Sequence, residues 1–346
     1  MVSASSLTAF VVGAVSLFYG FTTYTRKMNG LEFDKEFWDV AGPLIAVRPP
    51  LPPSNALELR ARVNTGLAAI IKAPFPENVV EVKHEITSFD GERIAVYQFV
   101  LSGSDADKSR PAFVYVHGGG TVGGQIDPYQ RLIVAMTAAA TGVQMFAVEY
   151  RLAPEFPYPT PAEDCYAVLQ WLSQSADSLS VDPSRIGLYA LSGGGTIALG
   201  ASMMARDRGL SPPLAKQILI YPMLDDRTRV LPDNPLSEFL TWTDKSNQIG
   251  WNAYLGGKAG EPGVPGHAAP ARADNVSGLP STYIDVGSLD IFCAESVAFA
   301  NRLVSANVQT ELHVYPGVPH IFDLYAPNIE ITKVAKQNQL RAARSL

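Results

Sequence analysis

Ser192 lies in a local sequence that is typical of a serine nucleophile. The run Tyr-Ala-Leu-Ser-Gly-Gly-Gly at 189–195 stands between a short apolar stretch and a helix-like segment. A serine at the apex of such a strand–turn–helix elbow presents its hydroxyl above the sheet edge, and small residues are needed two positions away on either side. Ala190 and Gly194 hold these positions, although the usual motif G-x-S-x-G has glycine at the first. We therefore expect Ser192 to attack an acyl group.

Consecutive glycines after a predicted buried strand supply candidate hydrogen-bond donors for an oxyanion. The sequence at 117–120 is His-Gly-Gly-Gly, and glycine lets backbone N–H groups approach a ligand closely. Together with the serine elbow, it predicts an oxyanion hole formed by the amides of Gly119, Gly120 and Gly193, with Gly118 as the alternative to Gly120. A phosphate-binding loop would instead require Lys followed by Ser or Thr, but here Thr and Val follow the glycines.

A general base for this serine must be a histidine, and the chain has five. His84 lies in a predicted hairpin, and His117 opens the glycine run, where it would order the loop. His267 lies in a segment rich in proline and glycine, and His313 lies within the last predicted strand. Only His320, in the loop after that strand, combines the carboxyl end of the sheet with the freedom of a loop. We expect His320 to take the serine proton and return it to the leaving group.

The acid that orients the histidine is expected between Ser192 and His320, because this class of fold runs in the order Ser, Asp or Glu, His. Asp290 follows the predicted strand 282–286 through a short turn, which places it at a carboxyl end. Asp285 lies within that strand, and Glu295 lies about one turn into the following helix. Asp290 is therefore the predicted partner that stabilises the imidazolium.

The elements that must position these residues alternate between strand and helix. Predicted strands lie at 79–88, 93–101, 112–116, 143–148, 186–190, 217–221, 282–286 and 311–315. Predicted helices lie at 128–140, 161–173, 196–206 and 292–306. This alternation indicates an α/β fold with a mostly parallel sheet, and the leading hairpin adds an antiparallel edge.

The motifs, taken together, resemble one family. His-Gly-Gly-Gly at 117–120, Tyr-Arg-Leu-Ala-Pro-Glu at 150–155, the Ser192 elbow, Asp290 and His320 are similar to the hormone-sensitive-lipase-like branch of the α/β-hydrolases, in a fungal-type member. The resemblance implies an eight-stranded sheet with a helical cap, and ester hydrolysis through an acyl-enzyme without a cofactor. The family usually reads Gly-Asp-Ser-Ala-Gly at the nucleophile, whereas this chain reads Ala-Leu-Ser-Gly-Gly and places a leucine beside the serine.

The predicted domain organisation is a catalytic domain with a cap in two parts. We expect N-terminal cap helices in 1–75, the catalytic domain in 76–223 and 258–346, and a cap insertion in 224–257. Aromatic residues of the two cap segments are candidates for substrate contact or for the cap core, namely Trp38, Phe239, Trp242 and Trp251. Because ligand pockets are mostly apolar, short- to medium-chain or aromatic esters are the expected substrates.

Two other functions use the same fold. A lactonase, acyltransferase or cyclase of a biosynthetic pathway would share the Ser-His-Asp site. A non-catalytic ligand-binding member of the fold would be expected to have lost the serine or the histidine, but this chain has both.

The composition of the chain argues against several classes of function. A net charge of −6 without a basic patch argues against nucleic-acid binding. Two cysteines without a metal-ligand spacing predict free thiols, no metal and a cytoplasmic protein. Residues 7–21 are apolar at helical spacing, which fits a packed helix, a weakly membrane-associated segment or a processed segment. A homodimer also stays open.

Overall fold

The computed structural model describes residues 31–46, 51–104 and 109–346. Residues 7–21, for which the sequence leaves three interpretations, lie outside these ranges. Within the described ranges, no helix combines the length and the apolar character needed to cross a bilayer.

Eight strands of the described residues form one sheet in the order β1-β2-β4-β3-β5-β6-β7-β8. The strands are β1 (Val79–Thr87), β2 (Arg93–Leu101), β3 (Arg110–Val116), β4 (Gln144–Val148), β5 (Val181–Leu191), β6 (Lys216–Ile220), β7 (Ser281–Gly287) and β8 (Thr310–Tyr315). Strand β2 pairs antiparallel with both β1 and β4, and all other pairs are parallel. The predicted mostly parallel sheet with an antiparallel edge is therefore confirmed.

The central strands are apolar along their whole length because both faces of the sheet are covered. In β3, Val114 and Val116 point into one hydrophobic core, whereas Phe113 and Tyr115 point into the other, and all four are fully buried. A strand with this environment has no polar face, so it reads as a continuous apolar run rather than as an alternation.

Helices flank the sheet and also precede it. They are α1 (Lys35–Ala46), α2 (Ala56–Ile70), α3 (Arg131–Thr141), α4 (Thr160–Gln174), α5 (Gly193–Asp207), α6 (Asp244–Tyr254), α7 (Cys293–Ser305), α8 (Phe322–Tyr325) and α9 (Glu330–Arg344). Helices α4 and α5 pack against each other, and α3 and α9 are also neighbours. The core containing Val114 includes residues of α4, α5 and α7, whereas the core containing Tyr115 includes residues of α3 and α9.

Two helical segments differ from the sequence-based prediction. Helix α3 begins at Arg131 rather than at 128, because Ile126–Gln130 forms a separate π turn in which Asp127, before a proline, has φ −103° and ψ 121°. Helix α9 was not predicted. Its buried side chains are small or polar, so its buried face has no stripe of large apolar residues, and such a stripe is the clearest signal for a helix in a sequence.

The two segments predicted as a cap lie together. Helix α2 contacts α6, which lies within 224–257. Helix α6 begins after Thr243, whose hydroxyl accepts a hydrogen bond from the Ser246 amide and satisfies one free donor of the first turn. The boundaries of the cap and of the catalytic domain stay predictions.

Arg151, in the motif at 150–155, joins three parts of the catalytic domain. Its guanidinium donates to both carboxylate oxygens of the fully buried Asp164 in α4, at 2.7 and 3.0 Å. It also donates to Asp90, in the turn between β1 and β2, at 2.6 Å. The motif therefore contains a structural ion pair that fixes the loop after β4.

We predict that Arg151→Met lowers the free energy of unfolding by about 3–5 kcal/mol, because it leaves the Asp164 carboxylate buried without its cation. Urea denaturation measures the change. Arg93→Met is the matched control, since Arg93 and its partner Glu85 are both more than half exposed and the expected loss is below about 1 kcal/mol. Equal losses in the two variants would contradict the assignment.

Glu149, directly after β4, gives a prediction about pH. Burial raises the pKa of Glu149 to about 7, even though its carboxylate accepts hydrogen bonds from the amides of Ile126 and Asp127. A carboxyl group with a raised pKa in the folded state adds stability at low pH, and this stability is lost as the pH rises through the folded-state pKa.

We therefore expect the stability of the unchanged protein, relative to Glu149→Gln, to fall by about 2 to 3 kcal/mol between pH 5 and pH 8. Urea midpoints of both proteins at the two pH values measure this difference. The exposed Glu92, changed to Gln, serves as control and should leave the pH dependence unaltered. A constant difference between the Glu149 pair would disprove the prediction.

Candidate active site

Ser192 lies at a sharp turn between β5, which ends at Leu191, and α5, which begins at Gly193. Its backbone has φ 51° and ψ −123°, a positive φ that non-glycine residues seldom adopt and that is often found at functional sites. The turn packs so tightly against the end of β3 that a Cβ atom at Gly194 would lie 2.3 Å from the carbonyl oxygen of Val116. The structure thus supplies the reason for the small residue two positions after the serine.

The structure brings Ser192, His320 and Asp290 into one hydrogen-bonded chain. Ser192 Oγ lies 2.9 Å from His320 Nε2, and His320 Nδ1 lies 2.7 Å from Asp290 Oδ2. All three side chains are buried. The second carboxylate oxygen of Asp290 accepts a hydrogen bond from the Phe292 amide at 2.9 Å. With Nδ1–H donating to Asp290, His320 Nε2 is left to accept the serine proton.

The loop that carries His320 is held against the end of β7. The Leu289 amide donates to the Val318 carbonyl at 3.1 Å. A Cβ atom at Gly287 would lie 2.1 Å from that same carbonyl oxygen, so only glycine allows this approach. From the insertion, the Thr241 hydroxyl donates to the carbonyl of His320 at 2.8 Å. These contacts fix the backbone on both sides of the imidazole.

Three backbone amides beside Ser192 are the candidate donors for the predicted oxyanion hole. Gly119 and Gly120 have positive φ values of 123° and 60° and line the same cavity as Ser192. A Cβ atom at Gly193 would lie 2.8 Å from the nitrogen of Gly120, so the elbow and the glycine loop touch through their backbones. Within residues 31–46, 51–104 and 109–346, the amides of Gly119, Gly120 and Gly193 have no hydrogen-bond acceptor.

His117 holds the glycine loop from its buried side. Its Nδ1 donates to the Gly118 carbonyl at 2.8 Å, and its ring stacks on Tyr150 with centroids 4.0 Å apart. The Tyr150 hydroxyl donates to the His117 carbonyl at 2.8 Å. Burial lowers the pKa of His117 to about 4, so the ring is neutral near pH 7. This is the loop-ordering position that the sequence suggested for His117.

The two alternative acids lie elsewhere. Asp285 accepts hydrogen bonds from Tyr283 and Gln339, and burial raises its pKa to about 7. Glu295 accepts a hydrogen bond from the Leu224 amide at 2.6 Å and another from Thr228. Neither carboxylate is bonded to His320, and Glu295 instead holds the beginning of the insertion.

A cavity of about 760 Å³ opens from Ser192 and His320 into the space between α2 and the insertion. Its walls are mainly apolar, from Leu59, Val63, Leu67 and Ile70 in α2 and from Val230, Leu240 and Trp242 in the insertion. Leu191 and Tyr221 line the end near the serine. The sequence did not point to the aliphatic face of α2, although its repeat of leucine and valine at helical spacing was a signal that could have done so.

Of the four aromatic residues proposed for substrate contact, one lines the cavity. The Trp242 ring packs so closely against Gly120 that a Cβ atom at Gly120 would lie only 2.3 Å from it. Trp251 does not line the cavity and is fully buried in the core that contains Val114.

Trp38 and Phe239 also lie away from the cavity. They pack around Phe33 in an aromatic cluster, with ring centroids 4.7 and 5.1 Å from it. Of the two interpretations that the sequence left open for Trp38, Phe239 and Trp251, their packing favours a role in hydrophobic clusters over substrate contact. Large aromatic side chains bury the most surface, and here three of the four fill cores instead of facing the ligand space.

A family model and two curated relatives agree on the family to which the chain is similar. A family model described as an alpha/beta hydrolase fold matches residues 113–324, more than half of the chain. Esterase LipI of Mycobacterium tuberculosis is 31% identical over 236 residues, which cover 68% of this chain and 72% of that protein. Versiconal hemiacetal acetate esterase of Dothistroma septosporum is 27% identical over 289 residues, 80% of this chain and 84% of that protein.

A solved structure extends this similarity to the described fold. The chain matches a bacterial heroin esterase with a TM-score of 0.78 at 30% identity, over 90% of this chain and 97% of that one. The family model, the relatives and the sheet topology agree with one another. The chain belongs to the hormone-sensitive-lipase-like family of α/β-hydrolase carboxylic-ester hydrolases.

Proposed function

We propose that the protein hydrolyses small carboxylic esters, with Ser192 as nucleophile, His320 as general acid and base, and Asp290 as the acid that orients His320. The observation that carries the proposal is the continuous chain of hydrogen bonds, 2.9 Å from Ser192 to His320 and 2.7 Å from His320 to Asp290. Within the part of the chain that the structure describes, the amides of Gly119, Gly120 and Gly193 beside it have no acceptor, which supports the same reaction.

The first half of the reaction forms an acyl-enzyme. Ser192 Oγ attacks the ester carbonyl carbon while His320 Nε2 takes the hydroxyl proton. The carbonyl oxygen becomes an oxyanion that accepts hydrogen bonds from the amides of Gly119, Gly120 and Gly193. When the intermediate collapses, the bond to the alkoxy oxygen breaks and His320 gives its proton to the leaving alcohol.

The second half repeats these steps with water. His320 takes a proton from water, whose oxygen attacks the acyl carbon, and the oxyanion forms again at the same amides. The bond to Ser192 Oγ then breaks, His320 returns the proton to the serine, and a carboxylic acid leaves. Asp290 stays ionised and stabilises the imidazolium in both halves.

The cavity supports short- to medium-chain or aromatic esters as substrates. Its volume of about 760 Å³ is in the range of sites for small molecules, and its apolar walls favour hydrocarbon groups. Two relatives are named for an acetate ester and for heroin. The predicted cap, formed by residues 1–75 and 224–257, belongs to this proposal because both of its parts supply walls of the cavity.

Two free cysteines, Cys165 and Cys293, support a reducing, cytoplasmic compartment.

Replacing the nucleophile is the decisive test. We expect Ser192→Ala to lower kcat for p-nitrophenyl butyrate by about 10⁵- to 10⁶-fold, because no acyl-enzyme can form. Ser202→Ala is the matched control, since Ser202 is equally buried but lies further along α5. A fluorophosphonate should label the unchanged protein and the Ser202 variant only. Undiminished ester turnover by the Ser192 variant would refute the proposal.

Narrowing the cavity should separate esters by size. We expect Val63→Trp to lower kcat/KM for p-nitrophenyl octanoate by about 10-fold or more, while kcat/KM for the acetate changes by less than about 3-fold, because the indole fills space that only the longer chain needs. The control is Val304→Trp at an exposed position of α7. A uniform loss for both esters would show that this part of the cavity does not hold the acyl chain.

A further inference from the structure

We infer that Gln130 is a positioning residue for the oxyanion hole, which it orients by holding the two ends of the glycine loop 118–124. The inference rests on the proposed function. Gln130 lies outside the Ser192–His320–Asp290 chain and belongs to none of the motifs that identify the family. One of its two hydrogen-bond acceptors, the Gly118 carbonyl, nevertheless belongs to the same peptide group as the Gly119 N–H, a proposed oxyanion donor.

The Gln130 amide nitrogen connects two carbonyl groups. Nε2 lies 3.0 Å from the Gly118 oxygen and 2.6 Å from the Gly124 oxygen. A primary amide has two hydrogens, so each carbonyl receives one of them. The side chain is 2% exposed and lines the cavity of Ser192. Because Gln130 ends the π turn Ile126–Gln130, that turn is the element that aims the amide at the loop.

The first of these hydrogen bonds fixes the direction of a proposed oxyanion donor. In a trans peptide, the carbonyl of Gly118 and the N–H of Gly119 point in opposite directions. Gln130 Nε2 and His117 Nδ1 both donate to the Gly118 oxygen, so the Gly119 N–H must point away from them. Rotation of this one peptide would turn the donor away from the oxyanion and present a carbonyl oxygen instead.

The loop needs such a partner because its own sequence offers little resistance to rotation. Five of the seven residues at 118–124 are glycine, the residue with the greatest backbone freedom. At the other end of the loop, the contact between Gln130 and Gly124 leaves no room for a side chain at position 124, since a Cβ atom there would lie 2.7 Å from Gln130 Nε2. Gly124 therefore leaves room for the amide that keeps the loop closed.

Other contacts hold the loop in place, and among the described residues only the His117 hydrogen bond to the Gly118 carbonyl also acts on this peptide. From α2, Asn64 Oδ1 accepts a hydrogen bond from the Gly124 amide at 2.8 Å, and Arg60 Nε donates to the Val122 carbonyl. These bonds remain when Gln130 is replaced. The expected consequence of losing the Gln130 amide is therefore a misdirected donor and not an unfolded loop.

The test compares Gln130→Met, which keeps the length of the side chain but has no donor, with Gln144→Met. Gln144 is similarly buried and hydrogen-bonded, but it begins β4 at the amino end of the strand, whereas Ser192 follows the carboxyl end of β5. For each protein we would measure kcat and KM for p-nitrophenyl butyrate, the affinity for a trifluoromethyl ketone whose adduct with the serine carries an oxyanion, and the free energy of unfolding.

For Gln130→Met we expect kcat to fall by about 10-fold, less than for outright loss of a donor because His117 still bonds the Gly118 carbonyl, with KM changed by less than about 3-fold and affinity for the trifluoromethyl ketone reduced by a factor similar to the loss in kcat. Gln144→Met should change only stability. A Gln130→Met protein that is folded and keeps kcat within about 3-fold of the original would overturn the inference, as would equal effects on kcat in the two methionine variants.

Gln130→Glu provides a second test if the methionine variant does not fold. An ionised carboxylate has no hydrogen to donate and repels the two carbonyl oxygens, whereas a protonated one donates a single hydrogen bond. The kcat of Gln130→Glu, divided by that of the original protein at the same pH, should therefore rise as the pH falls. A ratio near one at every pH refutes the positioning role. If Ser192→Ala retains turnover, the proposed function itself fails, and this result is distinct from either outcome at Gln130.

Discussion

The site depends on a direct backbone contact between the ends of two neighbouring strands. After β3 the chain forms the glycine loop, and after β5 it forms the Ser192 elbow. Gly193 and Gly194 leave no room for a Cβ atom against Gly120 and the Val116 carbonyl. Only glycine permits this approach, and the approach places the amides of the loop beside the serine hydroxyl. The other features of the site either place a side chain beside this contact, as the His320 loop does, or hold the two loops in position.

Buried polar groups are the means by which loops are held here. Asp164 fixes the segment after β4 through Arg151, and Glu295 holds the start of the insertion through the Leu224 amide. His117 and Gln130 hold the glycine loop. Each of these groups is costly to bury unless it is bonded, so each specifies one arrangement of a segment that has no regular structure of its own.

The sequence predicted the fold, and it pointed to three residues that the structure joins in one hydrogen-bonded chain, because both depend on local patterns. Continuous apolar runs marked the central strands, and Ser192, Asp290 and His320 each follow a strand at its carboxyl end. Prediction was poorer where the deciding contact is distant along the chain. Trp251 and Phe239 are as aromatic as Trp242, and only the packing of the insertion separates core from cavity wall. Gln130 had no signal, because its partners Gly118 and Gly124 are defined by the folded loop.

The contact between Trp242 and Gly120 couples the wall of the cavity to the glycine loop. The same indole forms part of the cavity wall and packs on a residue of the glycine loop. A change at this tryptophan that reshapes the cavity therefore also acts on the loop beside Ser192. The preference for one ester over another and the rate of turnover are therefore coupled at Trp242, so a substitution there is expected to change both.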